Sequence, residues 1–451
     1  MFIKCDNFVF LMDTNIIIDK NKIEPKECEK IIKLYDKKDC TFEKEYLERF
    51  RLFRESEIDL KKIMPTSCGI NLTNECSLRC NYCSYASGEH PICKIDDRQL
   101  KTFLNYMIEN IYIKRQLNIE NKLNTFYFAG GGEPTHDWRL LQEAVNYIEQ
   151  KCFNLGIFVK LGITTNLMVN QEKLEWVCKH FSDILVSYDG IKQLQDRNRP
   201  TVIGTRSSDV VENNLMILNQ KQFPFSVRTT IWPYDYHYLY EIADHIFSTY
   251  ENIETWAVEP VLDFGRAKNS DVFNDEKKLI SYDFQKTISE IDAYVQNKYG
   301  RSVYSSITRK TLCKFNCGAA FGYFPWLNCD GNVYTCLDAI EIETPIAFAD
   351  ENAMRFNKYK DSLSIMHLKY MQDNCKNCIA LPFCGGGCPI IHNGKDNVRS
   401  INSNWHCDQR RKFWLRALTM LSNNGRFFDI NAEIIQEGVY QIKWKNQDRY
   451  I

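Results

Sequence analysis

The 451-residue sequence lacks three features that would each indicate a particular class of protein. Basic residues do not outnumber acidic ones, since 57 Lys and Arg stand against 58 Asp and Glu, so a nucleic-acid-coating surface is excluded as the main feature. No stretch approaches the roughly 18 uncharged apolar residues of a membrane helix. The start MFIKCDNFVFLMDTNIII is broken by charged and amide side chains, which argues against a secretory signal. We therefore expect a globular, cytoplasmic protein whose partners include no nucleic acid and no membrane.

Cysteine is the residue in excess. The chain has 19 cysteines, and an odd number without a signal peptide argues against a secreted disulfide scaffold. Free thiols at this density in a protein of the reducing cytosol usually indicate bound metal. The eight His show no ligand spacing, and we interpret them as surface or core residues. Metal-bearing cysteines should therefore cluster at tight spacings.

The central part of the chain repeats one pattern, a short apolar run followed by a polar loop and an amphipathic stretch of helical period. Alternating strands and helices predict a parallel sheet with right-handed crossovers. Six repeats predict an α/β fold of the partial (β/α)6, TIM-like barrel type. The predicted strands are 67–73, 125–129, 158–164, 184–187, 225–231 and 254–258, and the predicted helices are 97–114, 138–154, 171–180, 208–220, 237–250 and 282–298.

The flanking regions differ from this pattern. Two apolar runs, 8–12 and 16–18, flank a turn-like segment at 13–15 and predict a hairpin. Cys28, Ile31, Ile32 and Tyr35 share one face of a predicted helix, and a second helix is predicted at 44–54. After residue 300 the cysteines become more frequent and the alternation of strands and helices stops. This change predicts a loop-rich domain that is stabilised by bound metal. The predicted domains are 1–65 (a small α+β unit), 66–300 (the barrel), 301–415 (the cysteine-rich domain) and 416–451 (a tail).

Three cysteines, Cys76, Cys80 and Cys83, occur within eight residues directly after the first barrel strand, in the run CSLRCNYC. Three thiolates cannot complete a tetrahedral zinc site, and no His lies near enough to be an obvious fourth ligand. Three thiolates on a 4Fe-4S cluster would leave one iron with an open position, which implies reactivity. Buried structural thiols or a zinc site completed from elsewhere in the chain are the alternatives.

This run, with Tyr82 before its third cysteine, resembles the signature of the radical S-adenosylmethionine (radical SAM) enzymes. In that family the fourth iron binds SAM, and electron transfer into the sulfonium yields a 5′-deoxyadenosyl radical. Gly131, Gly132 and Glu133, which follow the second strand, are similar to the family's GGEP segment at the SAM amino group. Polar residues also gather at later strand ends, the face that carries the active site in barrels of this type. The resemblance implies SAM contacts from Tyr82, Gly131, Gly132, Glu133, Asn166, Ser187, Asp189, Arg228 and Glu259. Helix capping and turn formation are the alternative for several of them.

A second group of cysteines resembles the SPASM extension of radical SAM enzymes. Cys317, Gly331, Cys336, Cys375, Cys378, Cys384, Cys388 and Cys407 agree with that motif in order and spacing, and Cys313 supplies an eighth thiolate. The resemblance implies two auxiliary 4Fe-4S clusters, for three clusters in total. It implies that Cys313, Cys317, Cys336 and Cys388 hold auxiliary cluster I and that Cys375, Cys378, Cys384 and Cys407 hold auxiliary cluster II. Zinc bound at the C-x2-C and C-x3-C spacings is the alternative.

Asp338 is the candidate catalytic residue, because related sulfatase maturases carry an aspartate beside the corresponding cysteine. It lies two residues after Cys336 instead of one, and a strand-end turn residue is the alternative interpretation. A carboxylate there could accept the proton that leaves an oxidised substrate radical.

The resemblance implies an oxidative maturase of a ribosomally made precursor peptide, installing a thioether or carbon–carbon crosslink. The implied partners are a precursor with a leader and an electron donor such as flavodoxin or ferredoxin. An anaerobic sulfatase-type maturase that forms formylglycine is the nearest alternative, and a non-catalytic zinc-binding scaffold is an alternative from another class. Residues 1–65 are predicted either to bind the leader, which would add a strand to the hairpin edge, or to be a packing extension.

Overall fold

The structure is a computed structural model that describes most of the chain. The described residues are 2–4, 7–11, 16–35, 60–119, 124–268, 270–275, 279, 281–308, 317–318, 322–340, 343–357, 363–392, 401–424, 426–427 and 430–444. The predicted turn at 13–15, the predicted helix at 44–54, and Cys5, Cys40 and Cys313 lie outside them. The chain forms two compact units: unit 1 comprises Met1–Glu57, Ser306–Cys317 and Ser364–Ile451, and unit 2 comprises Ile58–Ser305 and Gly318–Leu363.

The strands and helices are numbered in chain order. The strands are β1 (Phe2–Lys4), β2 (Phe8–Leu11), β3 (Ile16–Asp19), β4 (Cys68–Ile70), β5 (Thr125–Phe128), β6 (Lys160–Thr165), β7 (Asp183–Ser187), β8 (Phe225–Ile231), β9 (Ile253–Pro260), β10 (Val303–Tyr304), β11 (Trp326–Leu327), β12 (Asn332–Tyr334), β13 (Ala347–Ala349), β14 (Met354–Phe356), β15 (Arg426–Phe427), β16 (Ile430–Gln436) and β17 (Val439–Trp444). The α-helices are α1 (Pro25–Tyr35), α2 (Leu60–Ile63), α3 (Asp97–Gln116), α4 (Trp138–Asn154), α5 (Gln171–His180), α6 (Lys192–Asn198), α7 (Ser208–Gln220), α8 (Leu239–Thr249), α9 (Phe284–Tyr299), α10 (Leu363–Asn374), α11 (Leu381–Cys384), α12 (Pro389–His392) and α13 (Ile401–Asn424).

Unit 2 is built on a sheet whose central part is parallel. Its strand order is β10-β9-β8-β7-β6-β5-β4-β11-β12-β13-β14, and every neighbouring pair from β10 to β11 is parallel. All six predicted strands and all six predicted helices of residues 66–300 are present, which confirms the α/β fold class. The sequence did not predict β10, α6 or the antiparallel strands β11 to β14.

The parallel strands bury one face more fully than the other. On β8, Phe225, Val227, Thr229 and Ile231 are buried, whereas the residues between them are partly or fully exposed. The buried residues pack against helices, as in the edge-on contact of Phe225 with Tyr250 just beyond α8. On the opposite face, which we call the open face, Tyr127, Ser187 and Glu259 are partly exposed and Arg228 is exposed. Since all these strands run in one direction, their carboxyl ends meet at one edge of the sheet.

Unit 1 joins the two ends of the sequence in one antiparallel sheet, ordered β1-β2-β3-β17-β16-β15. The predicted hairpin is present, with Phe8 opposite Asp19 and Leu11 opposite Ile16. The predicted face of α1 packs onto this sheet, where Cys28, Ile31 and Ile32 share an apolar cluster with Val439 of β17. Ser422 on α13 donates a hydrogen bond to Asp19, which fastens the helix to the hairpin strand.

Two expectations about the C-terminal region need correction. The predicted boundary at residue 416 falls inside α13, and the stretch set apart as a tail supplies three strands of the unit 1 sheet. Residues 363–424 also contain four helices, so this region has less loop than the loss of alternation predicted. Among the described residues, no helix is both long and apolar enough to cross a membrane.

Candidate active site

The loop of Cys76, Cys80 and Cys83, which we call the cluster loop, begins six residues after β4. It is held from one side by the segment after α6, because the backbone N–H of Arg79 donates to Pro200 (2.7 Å) and that of Asn81 to Asn198 (2.9 Å). A second brace comes from the segment after β9, where the Arg266 guanidinium donates to the carbonyl of Cys80 (2.9 Å). The loop is therefore held in one conformation by backbone contacts that leave its thiols available.

The three thiols of the cluster loop influence one another electrostatically. Burial, together with the charges of the nearby Glu133, Cys80 and Cys83, raises the pKa of Cys76 to about 12 against a hydrogen bond from Leu78 that lowers it. Burial likewise raises the pKa of Cys80 to about 11. Thiolates are the form that binds metal, so these groups need a cationic partner to ionise at neutral pH. An iron–sulfur cluster supplies that positive charge.

The glycine turn after β5 packs directly on the cluster loop. A Cβ on Gly132 would lie 2.2 Å from the carbonyl oxygen of Glu75 and 2.5 Å from that of Thr73, so only glycine fits there. The N–H of Glu133 donates to the same Glu75 carbonyl (2.8 Å). The hydroxyl of Ser87 donates to the carbonyl of Gly131. The turn and the loop thus form one continuous wall.

The carboxylate of Glu133 is almost fully occupied by protein donors. It accepts from the Thr135 hydroxyl (2.8 Å), the Thr165 hydroxyl (2.7 Å) and the backbone N–H of Asn166 (2.7 Å), and it is buried. Burial raises its pKa despite these hydrogen bonds. This partner set favours a role in tying the ends of β5 and β6 together, with the turn backbone facing the cluster loop.

Asp189 has an even more complete set of partners. Its Oδ1 accepts from the Arg199 guanidinium (3.0 Å) and from the N–H of Thr230 (3.3 Å), and its Oδ2 accepts from Asn198 (3.2 Å) and from the Tyr82 hydroxyl. It is fully buried. Both oxygens therefore have protein partners, which favours a positioning role for Asp189, and its predicted contact with SAM stays a prediction. The Asp189 carboxylate therefore anchors Tyr82 to the sheet. The Arg199 guanidinium also lies over the Tyr82 ring, 5.2 Å from the ring centre.

Asn166, at the end of β6, reaches the cluster loop. Its Nδ2 donates to the Ser77 hydroxyl (3.2 Å) and to the Cys76 sulfur (3.6 Å), while its Oδ1 accepts from Met168 (2.9 Å). Ser187 and Arg228 lie opposite each other on β7 and β8, and Glu259 follows on β9 opposite Thr230. The structure therefore brings Ser187, Arg228 and Glu259 to neighbouring strands, and the contacts of all the predicted residues with SAM stay predictions.

Asp338 lies in the open-face region together with a residue that the sequence did not single out. The Tyr85 hydroxyl donates to Asp338 (2.9 Å), and Arg228 is close enough to favour its charged form. Desolvation by the surrounding protein nevertheless raises the pKa of Asp338 above its usual value, although its side chain is exposed. Tyr85 follows Cys83 by two residues, so the contact links the cluster loop to the segment after Cys336. Proximity to the cysteine motif was the only signal in the sequence that could have identified Tyr85.

Unit 1 contains a second group of thiols, formed by Cys375, Cys378, Cys384 and Cys407. The charges of the other three each raise the pKa of Cys375, after burial as the main cause, so the four side chains share one environment. Arg410 donates to the Cys384 sulfur (3.5 Å), and the Tyr370 hydroxyl lies 3.4 Å from the Cys407 sulfur. This is the complete ligand set predicted for auxiliary cluster II.

The ligands predicted for auxiliary cluster I divide between the units. Cys317 and Cys388 belong to unit 1 and Cys336 belongs to unit 2, while Cys313 lies outside the described residues. In the described part of the chain, no three His, Cys, Asp or Glu side chains gather around a position for a single metal ion. A 4Fe-4S cluster differs from a single ion because each thiolate binds its own iron.

Comparison with known proteins agrees with this geometry. The Radical SAM superfamily model matches residues 70–246. A cysteine-type anaerobic sulfatase-maturating enzyme of Clostridium novyi (strain NT) is 22% identical over 381 residues, which cover 78% of this chain and 94% of the relative. A serine-type anaerobic sulfatase-maturating enzyme of Klebsiella aerogenes is 22% identical over 339 residues, covering 72% and 79%.

Two solved structures share the fold. Native anSMEcpe with bound AdoMet has a TM-score of 0.59 at 16% identity and covers 80% of this chain and 100% of that one. Native anSMEcpe with bound AdoMet and Cp18Cys peptide has a TM-score of 0.57 at 16% identity, with 80% and 99% covered. The matched residues 70–246 contain both the cluster loop and the glycine turn that packs on it. Residues 70–246 therefore match a radical SAM domain, and a match to this superfamily implies a 4Fe-4S cluster and SAM as cofactors.

Proposed function

We propose that the chain is a SPASM-bearing radical SAM enzyme that oxidatively modifies a ribosomally made precursor peptide. The four-thiol group of Cys375, Cys378, Cys384 and Cys407 carries this proposal, because it lies beyond the matched radical SAM region and its thiols interact as a set. Four thiolates would complete the coordination of a 4Fe-4S cluster. Such a closed cluster suits electron acceptance, which an oxidative modification needs.

In this proposal the chain holds three clusters. Cys76, Cys80 and Cys83 hold the cluster that binds SAM, and the eight remaining motif cysteines hold auxiliary clusters I and II. The bound cofactors supply a 5′-deoxyadenosyl radical that removes a substrate hydrogen atom. A small electron carrier such as flavodoxin or ferredoxin delivers the starting electron.

Asp338 is the proposed proton acceptor. Its Oδ1 accepts a hydrogen bond from Tyr85, and its raised pKa makes the carboxylate a better base than an aspartate with an ordinary pKa. Tyr85 fixes the orientation of the carboxylate, and Arg228 keeps it ionised before it receives the proton. The two-residue offset from Cys336 leaves enough chain for this contact, although it departs from the pattern of the related maturases.

A sulfatase-type maturase that forms formylglycine is the second candidate. The relatives named as anaerobic sulfatase-maturating enzymes favour it, since one is matched over 94% of its length. The peptide bound to anSMEcpe is consistent with either candidate, since both act on a polypeptide.

The predicted site of leader pairing needs revision. Within the described residues, both edges of the hairpin are already paired, β2 with β1 and β3 with β17. A leader could add a strand instead at β16, where residues 432–434 and 436 pair with β17 and extend beyond the short strand β15. Ile434 and Ile435 are exposed there, at 72% and 41%. Ile434→Lys should weaken binding of a fluorescent leader, whereas Ile203→Lys, at another exposed isoleucine, should not. Equal binding by both variants would place recognition elsewhere.

The main experiment combines metal analysis with product analysis. Anaerobically purified protein should be brown and contain about twelve irons for three clusters. A colourless protein with stoichiometric zinc would instead support a zinc scaffold. Co-expression with a short cysteine- or aromatic-rich open reading frame beside the gene, followed by mass spectrometry, tests the peptide substrate. A hydrazide probe separates the two candidates, because formylglycine carries an aldehyde and a crosslink does not.

A further inference from the structure

The segment after α6 contains a tight turn with two exposed apolar side chains. Val202 is 52% exposed and Ile203 is 83% exposed, and they are neighbours in the chain. The turn is closed below them, because the N–H of Thr201 donates to the carbonyl of Thr205 (3.0 Å) and the N–H of Thr205 donates to the Thr201 hydroxyl (2.9 Å). We call residues 201–205 the apolar tip. An ordered backbone therefore holds both apolar side chains in solvent.

The base of the apolar tip is bonded to the cluster loop. The N–H of Val202 donates to the carbonyl of Ser77 (3.0 Å), and Thr201 pairs with Leu78 in an antiparallel bridge. Both contacts fall on the stretch of the cluster loop between its first and second thiols. A protein that binds the apolar tip would therefore lie against the loop that carries the three thiols.

Two arginines add positive charge to this surface. The Arg79 guanidinium donates to the carbonyls of Cys76 (2.9 Å) and Leu78 (3.0 Å), so both of its hydrogen bonds go to uncharged groups. Arg206 directly follows the apolar tip and is exposed. Neither guanidinium forms an ion pair with a carboxylate of the described residues. Both charges are therefore available to an acidic partner.

The two acidic residues of the same segment already have partners. Asp196 accepts from the backbone N–H groups of Ser207 and Ser208, both at 2.9 Å. Asp209 forms an ion pair with Lys192 at 2.8 Å. These carboxylates therefore do not neutralise the two arginines.

We propose that the apolar tip, Arg79 and Arg206 form the docking surface for a small acidic electron-carrier protein. This inference rests on the proposed function, which needs a protein to supply the starting electron. Val202 and Ile203 would form the water-excluding centre of the interface, and the two arginines would attract an acidic rim. The carrier loses one electron and the cluster held by the loop gains it, and no bond forms or breaks at the surface.

The binding test uses the full-length holoprotein, purified anaerobically, with a fluorescently labelled flavodoxin and a fluorescently labelled ferredoxin as probes. The double variant Val202→Glu, Ile203→Glu should raise the Kd of the carrier at least tenfold in fluorescence anisotropy. Two carboxylates would replace the apolar contact and repel the acidic carrier. Phe153→Glu is the matched control, because Phe153 on α4 is an apolar side chain that is 84% exposed, and its Kd should equal that of the wild type.

Salt dependence tests the charged part of the surface. Arg206→Gln should raise the Kd of the carrier about threefold at low ionic strength, and the difference should disappear at high ionic strength because salt screens exposed charges. A threefold effect that persists at high salt would contradict the electrostatic role of Arg206.

Chemical reduction separates this inference from the proposed function. With dithionite as reductant, the Val202→Glu, Ile203→Glu variant should cleave SAM at the wild-type rate. With the carrier as reductant, it should need at least tenfold more carrier to reach half of its maximal rate. A wild-type protein that cleaves no SAM with dithionite would contradict the proposed function, whereas the binding measurements would still decide the docking surface.

Three results would overturn the docking surface. The first is a wild-type protein that binds neither carrier. The second is a Val202→Glu, Ile203→Glu variant that binds the carrier as the wild type does, or no more weakly than Phe153→Glu. The third is a double variant that keeps its affinity for the carrier but loses affinity for a fluorescent leader peptide, which would assign the apolar tip to the peptide substrate.

Discussion

The two described cysteine groups differ in how the chain assembles them. Cys76, Cys80 and Cys83 come from one loop of eight residues, whose conformation depends on backbone contacts with segments after α6 and β9. The group of Cys375, Cys378, Cys384 and Cys407 is assembled from α11, α13 and the turns beside α10. The first group has three thiols and a neighbouring glycine turn, whereas the second has four.

The hydrogen-bond donors that reach the sulfurs of the two cysteine groups also differ, in their charge. A neutral amide, that of Asn166, reaches the Cys76 sulfur, whereas a guanidinium, that of Arg410, reaches the Cys384 sulfur. Hydrogen bonds and charge near a cluster tune its reduction potential. A three-thiolate group beside a backbone wall is suited to bind a reactive ligand, and a four-thiolate group beside a buried cation is suited to store an electron.

The largest effect is expected when the three-thiol group is removed. Replacing Cys76, Cys80 and Cys83 together by Ala should abolish reductive SAM cleavage and remove about a third of the iron, since one of three four-iron clusters is lost. The four-thiol group should keep its iron because it belongs to the other unit. The measurements are 5′-deoxyadenosine by chromatography and iron by colorimetric assay. The Cys152→Ala, Cys178→Ala double variant is the control and should keep both, while any 5′-deoxyadenosine from the triple variant would contradict the cluster assignment.

Substitution of Asp338 tests whether the three-thiol group acts together with a proton acceptor. Asp338→Asn should lower the rate of product formation about 10²- to 10⁴-fold, the usual range for removing a general base. The rate of SAM cleavage without substrate should stay near normal, because the cluster loop is untouched. Tyr85→Phe should show a smaller loss of product because the carboxylate remains but loses its hydrogen bond. Normal product formation by Asp338→Asn would assign proton transfer to another group.

Breaking the buried Asp189–Arg199 ion pair tests whether the cluster loop depends on it for its position. Asp189→Ala leaves the buried Arg199 guanidinium without its partner and should reduce stability by about 3–5 kcal/mol. The cluster loop should lose iron first, because Tyr82 and the segment at Asn198 lose the same anchor. Thermal unfolding of the holoprotein and iron content report both effects. Asp209→Ala removes an exposed partner of Lys192 and should change neither, so equal losses in the two variants would remove the reason for calling Asp189 an anchor.

The sequence predicted individual helices and strands well, but it predicted poorly which strands pair and which side chains contact each other. Helix α4 has its predicted bounds because Asp137 caps it, accepting from the N–H of Leu140 (3.1 Å), and β8 has its predicted bounds because its alternation is uninterrupted. Strands β16 and β17 were missed although two β-rich runs flank Glu437 and Gly438, and Gly438 has the positive φ of +74° that such a turn favours.

Contacts between residues distant in sequence explain the remaining errors. The partner of β17 is β3, more than 400 residues earlier, so no local pattern could reveal it. The hydrogen bonds of Asp189 with Arg199 and Tyr82 likewise join separate segments of the chain, which no local sequence pattern pairs.

The smallest expected effect concerns the cation beside the four-thiol group. Arg410 is buried on α13, one turn after Cys407, and donates to Cys384. Arg410→Gln removes a positive charge that stabilises the reduced, more negative cluster, so the midpoint potential of that cluster should fall. A tenfold change in the equilibrium constant is about 59 mV for a one-electron couple, and we expect a shift of that order.

A redox titration followed by electron paramagnetic resonance can resolve this shift from the signal of the SAM-binding cluster. The matched control is Lys412→Gln, which removes one positive charge from the same helix at a half-exposed side chain paired with Asp408. If both variants shift the potential equally, net charge of the helix sets it. If only Arg410→Gln shifts it, the direct contact with the Cys384 sulfur sets it, and the contrast between the neutral donor at Cys76 and the charged donor at Cys384 has a measurable consequence.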